Sequence, residues 1–399
     1  MMAAIRAAAL HQDVTLLEKK STLANKLLLS GKGRCNLTNL CDLNSFLERF
    51  SKNGEFLRNA FQKFFNLDLM RFFETRGLKL KVERQLRVFP VSNRADSVLE
   101  VLKKELHKNK VEILYKTAAK DIFTQGNKAK GLLLSDGKVI PADKLILATG
   151  GASYSFTGST GEGIELARKL EHRIVPLRPG LVPLKVKQQY PRLLEGLALK
   201  NIRLRFCDGK KEIVSEIGEL LFTTCAISGP LVLSLSADIG DLLKENKNVY
   251  VEIDLKPALS KEQLDARLLR EFSLNSKKTI KNMFKTLLPK RLIDVFMDIA
   301  KIMPDKKISQ ITRLERQKIV SLLKGFHLDI AGLMPIEEAM VTRGGISLKD
   351  INPKTMESRI IKGLYFAGEM IDVDADTGGF NLQAAFSTGF LAGDSAALR

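Results

Sequence analysis

The residue types that could do chemistry fall in four short stretches of this chain. The first is Asp13–Glu18 (DVTLLE), which reads as a short strand ending in an acid. In a nucleotide-binding βαβ unit the second strand ends in a carboxylate that accepts both hydroxyls of the adenosine ribose. Glu18 has that position, and the plainer alternative is a surface acid. The second stretch is Leu28–Asn39 (LLSGKGRCNLTN), where Gly31 and Gly33 flank Lys32 and Arg34, Cys35 and Asn36 follow. Two glycines permit close backbone approach and exposed N–H donors, and two cations add positive charge, which suits a pyrophosphate or a flavin edge. The alternative is a polar loop, and the GxxxxGK[ST] spacing of a Walker loop is absent. The third, Leu145–Gly163 (LILATGGASYSFTGSTGEG), is an apolar strand delivering Thr149, Gly150 and Gly151 to the carboxyl end of a sheet. Open α/β folds take ligands there, although a tight turn reads the same way. The fourth, Gly363–Gly393, runs from a strand through Gly368, Glu369 and a Gly378–Gly379 loop into a helix starting near Asn381. The positive end of that helix would stabilise negative charge. Asp372, Asp374 and Asp376 do not meet the EF-hand pattern, so no metal is expected.

Material for nucleophilic catalysis is scarce. His11, His107, His172 and His327 are isolated in sequence and read as structural, and neither GxSxG nor HExxH occurs. Cys35, Cys41, Cys207 and Cys225 form no CxxC pair and are too few for a disulfide framework, which points to a reducing cytoplasm. Catalytic residues stay unassigned.

The elements that must position these stretches follow from periodicity. Met1–Leu10 reads as a buried helix rather than a targeting segment, and it feeds the Asp13–Glu18 strand as half of a βαβ unit. Asn44–Arg76 and Ala95–Leu106 carry apolar residues at helical intervals, Val111–Leu114 and Lys144–Leu147 read as strands, and Asp136–Gly137 marks a hairpin turn. From Leu181 to about Leu255 the texture becomes short β-rich runs, among them Ile202–Phe206 and Val249–Ile253, as in a small barrel or sandwich. Ser260 with Gln263 and Thr312 with Glu315 are capping-box pairs, and Leu292, Val295, Phe296 and Ile299 share a helical face, so residues 256–325 read as a helical insert. α/β texture at both ends with different material between argues for one domain interrupted by an insertion.

At 399 residues the chain is too long for a single core, and no apolar run approaches membrane-spanning length. The formal charge of +19 raises nucleic acid or an anionic surface as partners. Residues 256–325 hold 17 Lys and Arg against 7 Asp and Glu. With almost no aromatic interleaving for base stacking, that segment reads as a solvated helical face rather than an RNA groove.

Several long motifs in order carry a resemblance. LLSGKGRCNLTN, RVFPVSNRA (Arg87–Ala95), TGSTGEG (Thr157–Gly163), PLRPGLVPL (Pro176–Leu184), INPKTMES (Ile351–Ser358) and GLYFAGE through FNLQ resemble the BaiN/YhiN-like family, also described as aminoacetone-oxidase-like NAD(P)/FAD-dependent flavoproteins. The resemblance covers essentially the whole chain. It implies an α/β fold: a Rossmann-like FAD-binding domain formed by both chain ends (1–184 and 346–399), interrupted by an inserted β-barrel (185–255, with a return strand in 326–345) and a helical subdomain (256–325). It also implies FAD held by Glu18 at the ribose, by Lys26 and Gly31, Lys32, Gly33, Arg34, Cys35 and Asn36 near the pyrophosphate and ring, and by Ala119 at the adenine. Thr149, Gly150, Gly151, Gly368, Glu369, Asp372, Gly378, Gly379, Phe380, Asn381 and Leu382 complete that site. The implied activity is hydride transfer from NAD(P)H through FAD to an unidentified small molecule, with the redox chemistry belonging to the flavin. The alternative is a cofactor-impaired or RNA-associated relative that keeps the fold without the redox activity.

Two departures from the family pattern bear on this. The family places a strand and a Gly-rich turn ahead of the helix that here starts at Met1, so an in-frame GxGxxG is expected upstream. In Leu221–Pro230 (LFTTCAISGP), Thr224 and Ala226 stand where the family has His and Gly, so a proton-transfer role for that histidine does not carry over.

Overall fold

The computed structural model describes residues 1–245 and 248–398; residues 246–247 and 399, which fall in the expected spans 185–255 and 346–399, lie outside that description. The chain divides into two compact units, Met1–Gly180 with Ile336–Arg399, and Leu181–Pro335.

The first unit is α/β with mixed sheets. β1 (Thr15–Glu18) pairs in parallel with β2 (Glu112–Tyr115), in register from Thr15 opposite Glu112 to Glu18 opposite Tyr115. Parallel neighbours need a long crossover, and helix Ala95–Lys108 supplies the last part of it, burying Val98, Leu102 and Leu106 on one face. β3 (Leu145–Leu147) follows, and the returning chain adds β4 (Val341–Ile346), antiparallel to Ile174–Gly180, and then β5 (Leu364–Phe366), parallel to β3. All three residues of β5 are buried, as expected of a parallel strand covered on both faces. β1 with β2 and β5 with β3 form two separate two-stranded sheets, and the other edge of β5 is bridged antiparallel at Tyr365 to Glu357, with the Phe366 N–H donating to the Met356 carbonyl at 3.0 Å. A three-stranded antiparallel sheet (Ala119–Gln125, Lys128–Leu134, Val139–Pro141) turns at Asp136–Gly137, with Gly137 at φ +88°.

The two chain ends meet through a helix pair. Helix Met2–Ala8 buries Met2, Ala3, Ala4 and Ile5 against the carboxyl-terminal helix Phe380–Leu398, which is apolar nearly all round and buried over most of its length. Gly393 permits the close crossing, since a Cβ there would lie 3.0 Å from Ala3 Cα and overlap the Ala3 carbonyl oxygen. Arg6 closes the contact by pairing with Asp394 and lying 4.7 Å over the Phe390 ring.

In the second unit, seven strands run in the order Glu212–Val214, Ala198–Cys207, Gly218–Phe222, Ala226–Ser228, Leu184–Val186, Phe326–Leu333, Tyr250–Asp254. Ala198–Cys207 also pairs with Tyr250–Asp254, which closes six of them into a ring. The alternation of buried Leu199, Ile202, Leu204 and Phe206 along the longest strand aims one face at the core. The β-rich reading of 181–255 misses a 16-residue helix, Pro230–Glu245. Val232, Leu233, Ser236, Ile239, Gly240 and Leu242 are its buried positions, a helical spacing that the strand-like runs on either side obscure. Both capping boxes form, Ser260 with Gln263 and Thr312 with Glu315, and they start helices Lys261–Leu274 and Arg313–Lys324. The inner residues of these helices and of Lys290–Ala300 share one hydrophobic cluster with the strands. The expected return span 326–345 straddles two elements: Phe326–Leu333 in this unit and β4 in the first.

Candidate functional site

The carboxylate of Glu369 gathers three other segments of the first unit. Gly368, at φ +76°, turns the chain out of β5, and its N–H donates to Thr388 Oγ1 at 3.0 Å. Glu369 then accepts from Lys26 Nζ at 2.5 Å, from Ser153 Oγ at 3.0 Å and from the Thr342 backbone N–H at 2.7 Å. Lys26 also reaches Ser153 Oγ at 2.7 Å. Thr342 Oγ1 accepts from the N–H groups of Ala152 and Ser153 at 2.8 and 3.0 Å and is fully buried. One network therefore ties the short helix Asn25–Leu29, the glycine turn after β3, the start of β4 and the turn after β5. Lys26, Gly368 and Glu369 were legible in sequence. Ser153 and Thr342 were not, although Ser153 lies two residues past the motif glycine Gly151.

The glycine turns owe their shape to close approaches. A Cβ on Gly151 would sit 2.5 Å from Thr342 Cβ and overlap its hydroxyl. Gly150 is at φ +79° beside Ser159, and the Thr149 side chain fills the space that a Cβ on Gly163 would need. At the carboxyl-terminal helix Gly379 is at φ +98°, and a Cβ there would lie 2.6 Å from the Thr38 carbonyl carbon. Phe380 is buried edge-on against Phe46 at 4.7 Å, Leu382 is packed beside the Met2–Ala8 helix cluster, and Asn381 staples the preceding loop by bonding the N–H and C=O of Ala375.

Ser30–Gly33 forms a tight turn with Gly31 and Lys32 both in the left-handed region, and Gly33 follows at φ +80°. Lys32 and Gly33 are exposed. Arg34 bonds both carboxylate oxygens of Glu83 at 3.0 and 3.1 Å and stacks on Phe89 at 4.1 Å. Cys35 is fully buried among Leu37, Leu69 and Phe73, and burial pushes its thiol up to about 12, which removes it as a nucleophile at neutral pH. Asn36 Oδ1 is buried with no hydrogen-bond partner, an unusual condition that a bound donor would relieve.

The other sequence-derived residues are held by contacts of their own. Glu18, at the end of β1, accepts from the Lys20 N–H at 2.8 Å. Lys19 bonds Thr160 and Glu162, which links that end of β1 to the TGSTGEG stretch. Ala119 opens its strand two residues after Thr117, whose N–H donates to the Glu18 carbonyl at 3.0 Å. Asp372 is half-buried and held by Asn53 at 3.1 Å, and its carboxyl is pushed up chiefly by burial. Asp374 is engaged by Ser51 and Arg343, and Asp376 by Arg49. In the second unit Thr224 is exposed between strands Gly218–Phe222 and Ala226–Ser228.

His172 is buried: Nδ1 lies 3.0 Å from the Ala167 carbonyl and Nε2 lies 2.7 Å from Ser358 Oγ. Donation from Nδ1 leaves Nε2 to accept the Ser358 hydroxyl proton, which is the neutral tautomer. Burial holds the imidazole below its ordinary 6.5. Protons therefore prefer the unfolded chain, so the stabilisation is complete above the unfolded pKa and declines as pH falls from there toward the depressed folded value. The Asp350 carboxylate beside it, held down by Arg173, loses its contribution only at lower pH, below 3.8. We expect the thermal midpoint to fall between about pH 7.5 and 5.5 and His172→Gln to flatten that slope. A midpoint equally pH-dependent in both proteins would show that other groups carry the effect.

Residues 1–395 match the family described as HI0933-like protein Rossmann domain. The chain is 33% identical to the 3-dehydro-bile acid delta(4,6)-reductase of Clostridium scindens, over 100% of this chain and 97% of that protein. It is 29% identical to the ribosomal RNA dihydrouridine synthase of Haemophilus influenzae, over 98% of this chain and 94% of that protein. Among solved structures, 3-ketosteroid delta1-dehydrogenase from Sterolibacterium denitrificans superposes with a TM-score of 0.52 at 12% identity, covering 99% of this chain and 97% of the other, a likeness of fold.

Proposed function

The chain belongs to the HI0933-like Rossmann family, and from that premise we propose that it is an FAD-dependent oxidoreductase that uses NAD(P)H to saturate a carbon–carbon double bond conjugated with a carbonyl. The observation that carries the reading is the meeting of the helix Asn25–Leu29, which runs into the Ser30–Gly33 turn, with the turn after β3 and the start of β4 at the Glu369 carboxylate in the turn after β5. These segments are far apart in sequence, and each ends in glycine-rich backbone suited to a dinucleotide. The residues present fit a flavin dinucleotide. Asn36 Oδ1 is an acceptor without a donor, the helix from Phe380 opens on two glycines, and the exposed Lys32 supplies positive charge beside Gly31 and Gly33.

In this reading 1–184 and 346–399 form the FAD-binding part, and the ring of strands with the helices of 256–325 is the inserted barrel and bundle. Glu18 holds the ribose and Ala119 borders the adenine. Lys26, Gly31–Asn36, Thr149–Gly151, Gly368, Glu369, Asp372 and Gly378–Leu382 surround the pyrophosphate and ring. Arg34 is already committed to Glu83, so it shapes the turn and contributes less charge to a ligand than Lys32. When bound, the flavin supplies hydride transfer between nicotinamide and acceptor. The chain's part is to hold Glu369 through Lys26, Ser153 and Thr342 and to keep the Thr149–Gly151 backbone open for approach.

The acceptor class follows from chemistry shared by the relatives. The 3-dehydro bile acid carries a ketone conjugated with its ring double bonds, and uridine becomes dihydrouridine by saturation of C5=C6, which is conjugated with C4=O. Such a bond accepts hydride at the carbon that the carbonyl polarises, the β carbon or, through a second conjugated double bond, the δ carbon, and a proton completes the saturation at a carbon nearer the carbonyl. The test is spectroscopic. Purified protein supplemented with FAD and then freed of unbound FAD by gel filtration is expected to stay yellow, to bleach anaerobically on adding NADH or NADPH, and to recover colour when a conjugated enone is supplied. A preparation that stays colourless with FAD removes the flavin reading, and one that bleaches but does not recover with any enone or uracil removes the acceptor class.

A further inference from the structure

We propose that Phe156, presented beside Glu18 by the turn Ser155–Thr157, is the stacking platform for the adenine of the dinucleotide, so that the adenosine half decides which flavin the chain retains. This deepens the reading above, on which it rests, by giving the cofactor's base a partner. Glu18 is open to a ribose: Oε1 accepts from the Lys20 N–H at 2.8 Å, and Oε2 has no hydrogen-bond partner among the described residues. A ribose held there by its two hydroxyls carries its base on the neighbouring carbon, beside the carboxyl end of β1. Ala119, placed at the adenine in that reading, offers only a methyl group. A flat base is held best by the face of another ring.

Exposed rings are few. Among the described residues the exposed aromatic side chains are Tyr115 (41%), Phe123 (56%) and Phe156 (67%), and the first and last of these stand at this end of β1. Tyr115 pairs with Glu18 in the parallel ladder, so both side chains leave the same face of the sheet. The Phe156 turn is fastened to the same strand end. A Cβ on Gly158 would lie 3.4 Å from Lys20 Cγ and 3.6 Å from Lys19 Cε, so both lysine stems pass against the turn. Lys19 Nζ goes on to bond Thr160 Oγ1 at 2.7 Å and Glu162 at 2.9 Å. From the other side Asn25 Nδ2, at the start of the helix that carries Lys26, donates to the Thr157 carbonyl at 3.4 Å.

The turn holds its ring rigidly in solvent. Tyr154 sits in the left-handed region at φ +50°, where a non-glycine residue is strained, and its carbonyl accepts from both the N–H and the Oγ1 of Thr157, at 2.8 and 2.7 Å. Gly158 closes the turn at φ +112°. The Tyr154 ring stands 5.6 Å from the Phe156 ring at an interplanar angle of 51° and braces it. Phe156 belongs to none of the apolar clusters of the first unit, so its ring is free to meet a ligand. A phenyl ring offers no charge and no hydrogen bond. It therefore recognises the face of the base and leaves the phosphates to the glycine turns. FMN carries the same isoalloxazine ring without the adenosine, so Phe156 adds affinity for FAD and none for FMN.

The experiment measures the Kd of the flavin-free full chain for FAD and for FMN by flavin fluorescence, and for ADP by calorimetry. Wild type is compared with Phe156→Ala, with Phe156→Tyr, which keeps a ring, and with Phe123→Ala as a control for losing an exposed ring. Phe156→Ala is expected to raise the Kd for FAD and for ADP about tenfold, the size of one base–aromatic stack, while Phe156→Tyr stays within about twofold of wild type. The Kd for FMN is expected to be the same in all four proteins, and Phe123→Ala to bind FAD as wild type does. Circular dichroism and the thermal midpoint without flavin establish that the variants fold. An unchanged Kd for FAD in Phe156→Ala overturns the platform and gives the exposed ring to a protein partner. Equal weakening of FAD and FMN, or equal weakening by Phe123→Ala, overturns it as well. Each of these results leaves the flavin reading standing, whereas a wild type that binds neither FAD nor FMN removes that reading and this inference together.

Discussion

Gly151→Ala is expected to lower the thermal midpoint of the first unit by roughly 5–10 °C and to abolish retention of FAD. The new methyl meets Thr342, which cannot move cheaply. Its hydroxyl accepts from the Ala152 and Ser153 N–H groups, and its own N–H holds Glu369. Gly151 is not in the left-handed region, so backbone strain plays no part and the effect is steric. Overpacking a rigid site costs about 1–3 kcal/mol, and breaking the two bonds to Thr342 Oγ1 adds roughly 1 kcal/mol each. A rescue separates this cause from others. Thr342→Gly in the same chain removes all three atoms that the methyl meets and should recover part of the loss, whereas Thr342→Ser keeps Oγ and Cβ and should recover nothing. The midpoint is read by calorimetry and FAD retention by absorbance after gel filtration. If Thr342→Gly made the double variant worse by the sum of the single effects, contact between 151 and 342 would not be the origin.

That contact marks the boundary of what could be read without coordinates. Motif glycines announce close approach, because the missing Cβ is visible in the letters, but the atom that approaches is not. Thr342 lies 191 positions from Gly151, and nothing local distinguishes it from a surface strand threonine. Ser153 is hidden in the same way by the ordinary turn chemistry around it. Local devices were readable because their physics is local: the Asp136–Gly137 hairpin, both capping boxes and the start of the last helix two residues past Gly378. Helix Pro230–Glu245 was not, because a Leu- and Val-rich amphipathic helix flanked by strands presents the same apolar runs that strands do. Arg34 shows another limit of local reading. A cation in a glycine loop suggests an anion ligand, yet Glu83 and Phe89, both about fifty residues on, already occupy it.

Lys26→Met and Glu369→Gln are each expected to destabilise the first unit by about 2 kcal/mol and to raise the Kd for FAD about tenfold or more, and together to cost clearly less than the sum. Removing either partner of a desolvated ion pair leaves the other without compensation, a penalty of about 3–5 kcal/mol for complete burial. The side chains here are 25% and 19% exposed, so solvent takes back part of it. Glu369→Gln keeps an oxygen for the Thr342 N–H but turns an amide donor toward the Lys26 ammonium, donor against donor. With Lys26→Met as well, that conflict disappears and the Gln amide bonds only Ser153 and Thr342, which is why the double variant should recover. A coupling of about 1–2 kcal/mol from urea unfolding of all four proteins would make the pair a unit. The same cycle read as FAD affinity asks whether that unit serves the ligand. Coupling in stability without coupling in affinity would leave Lys26 and Glu369 as a clasp between the two ends of the chain and would remove them from the proposed flavin site.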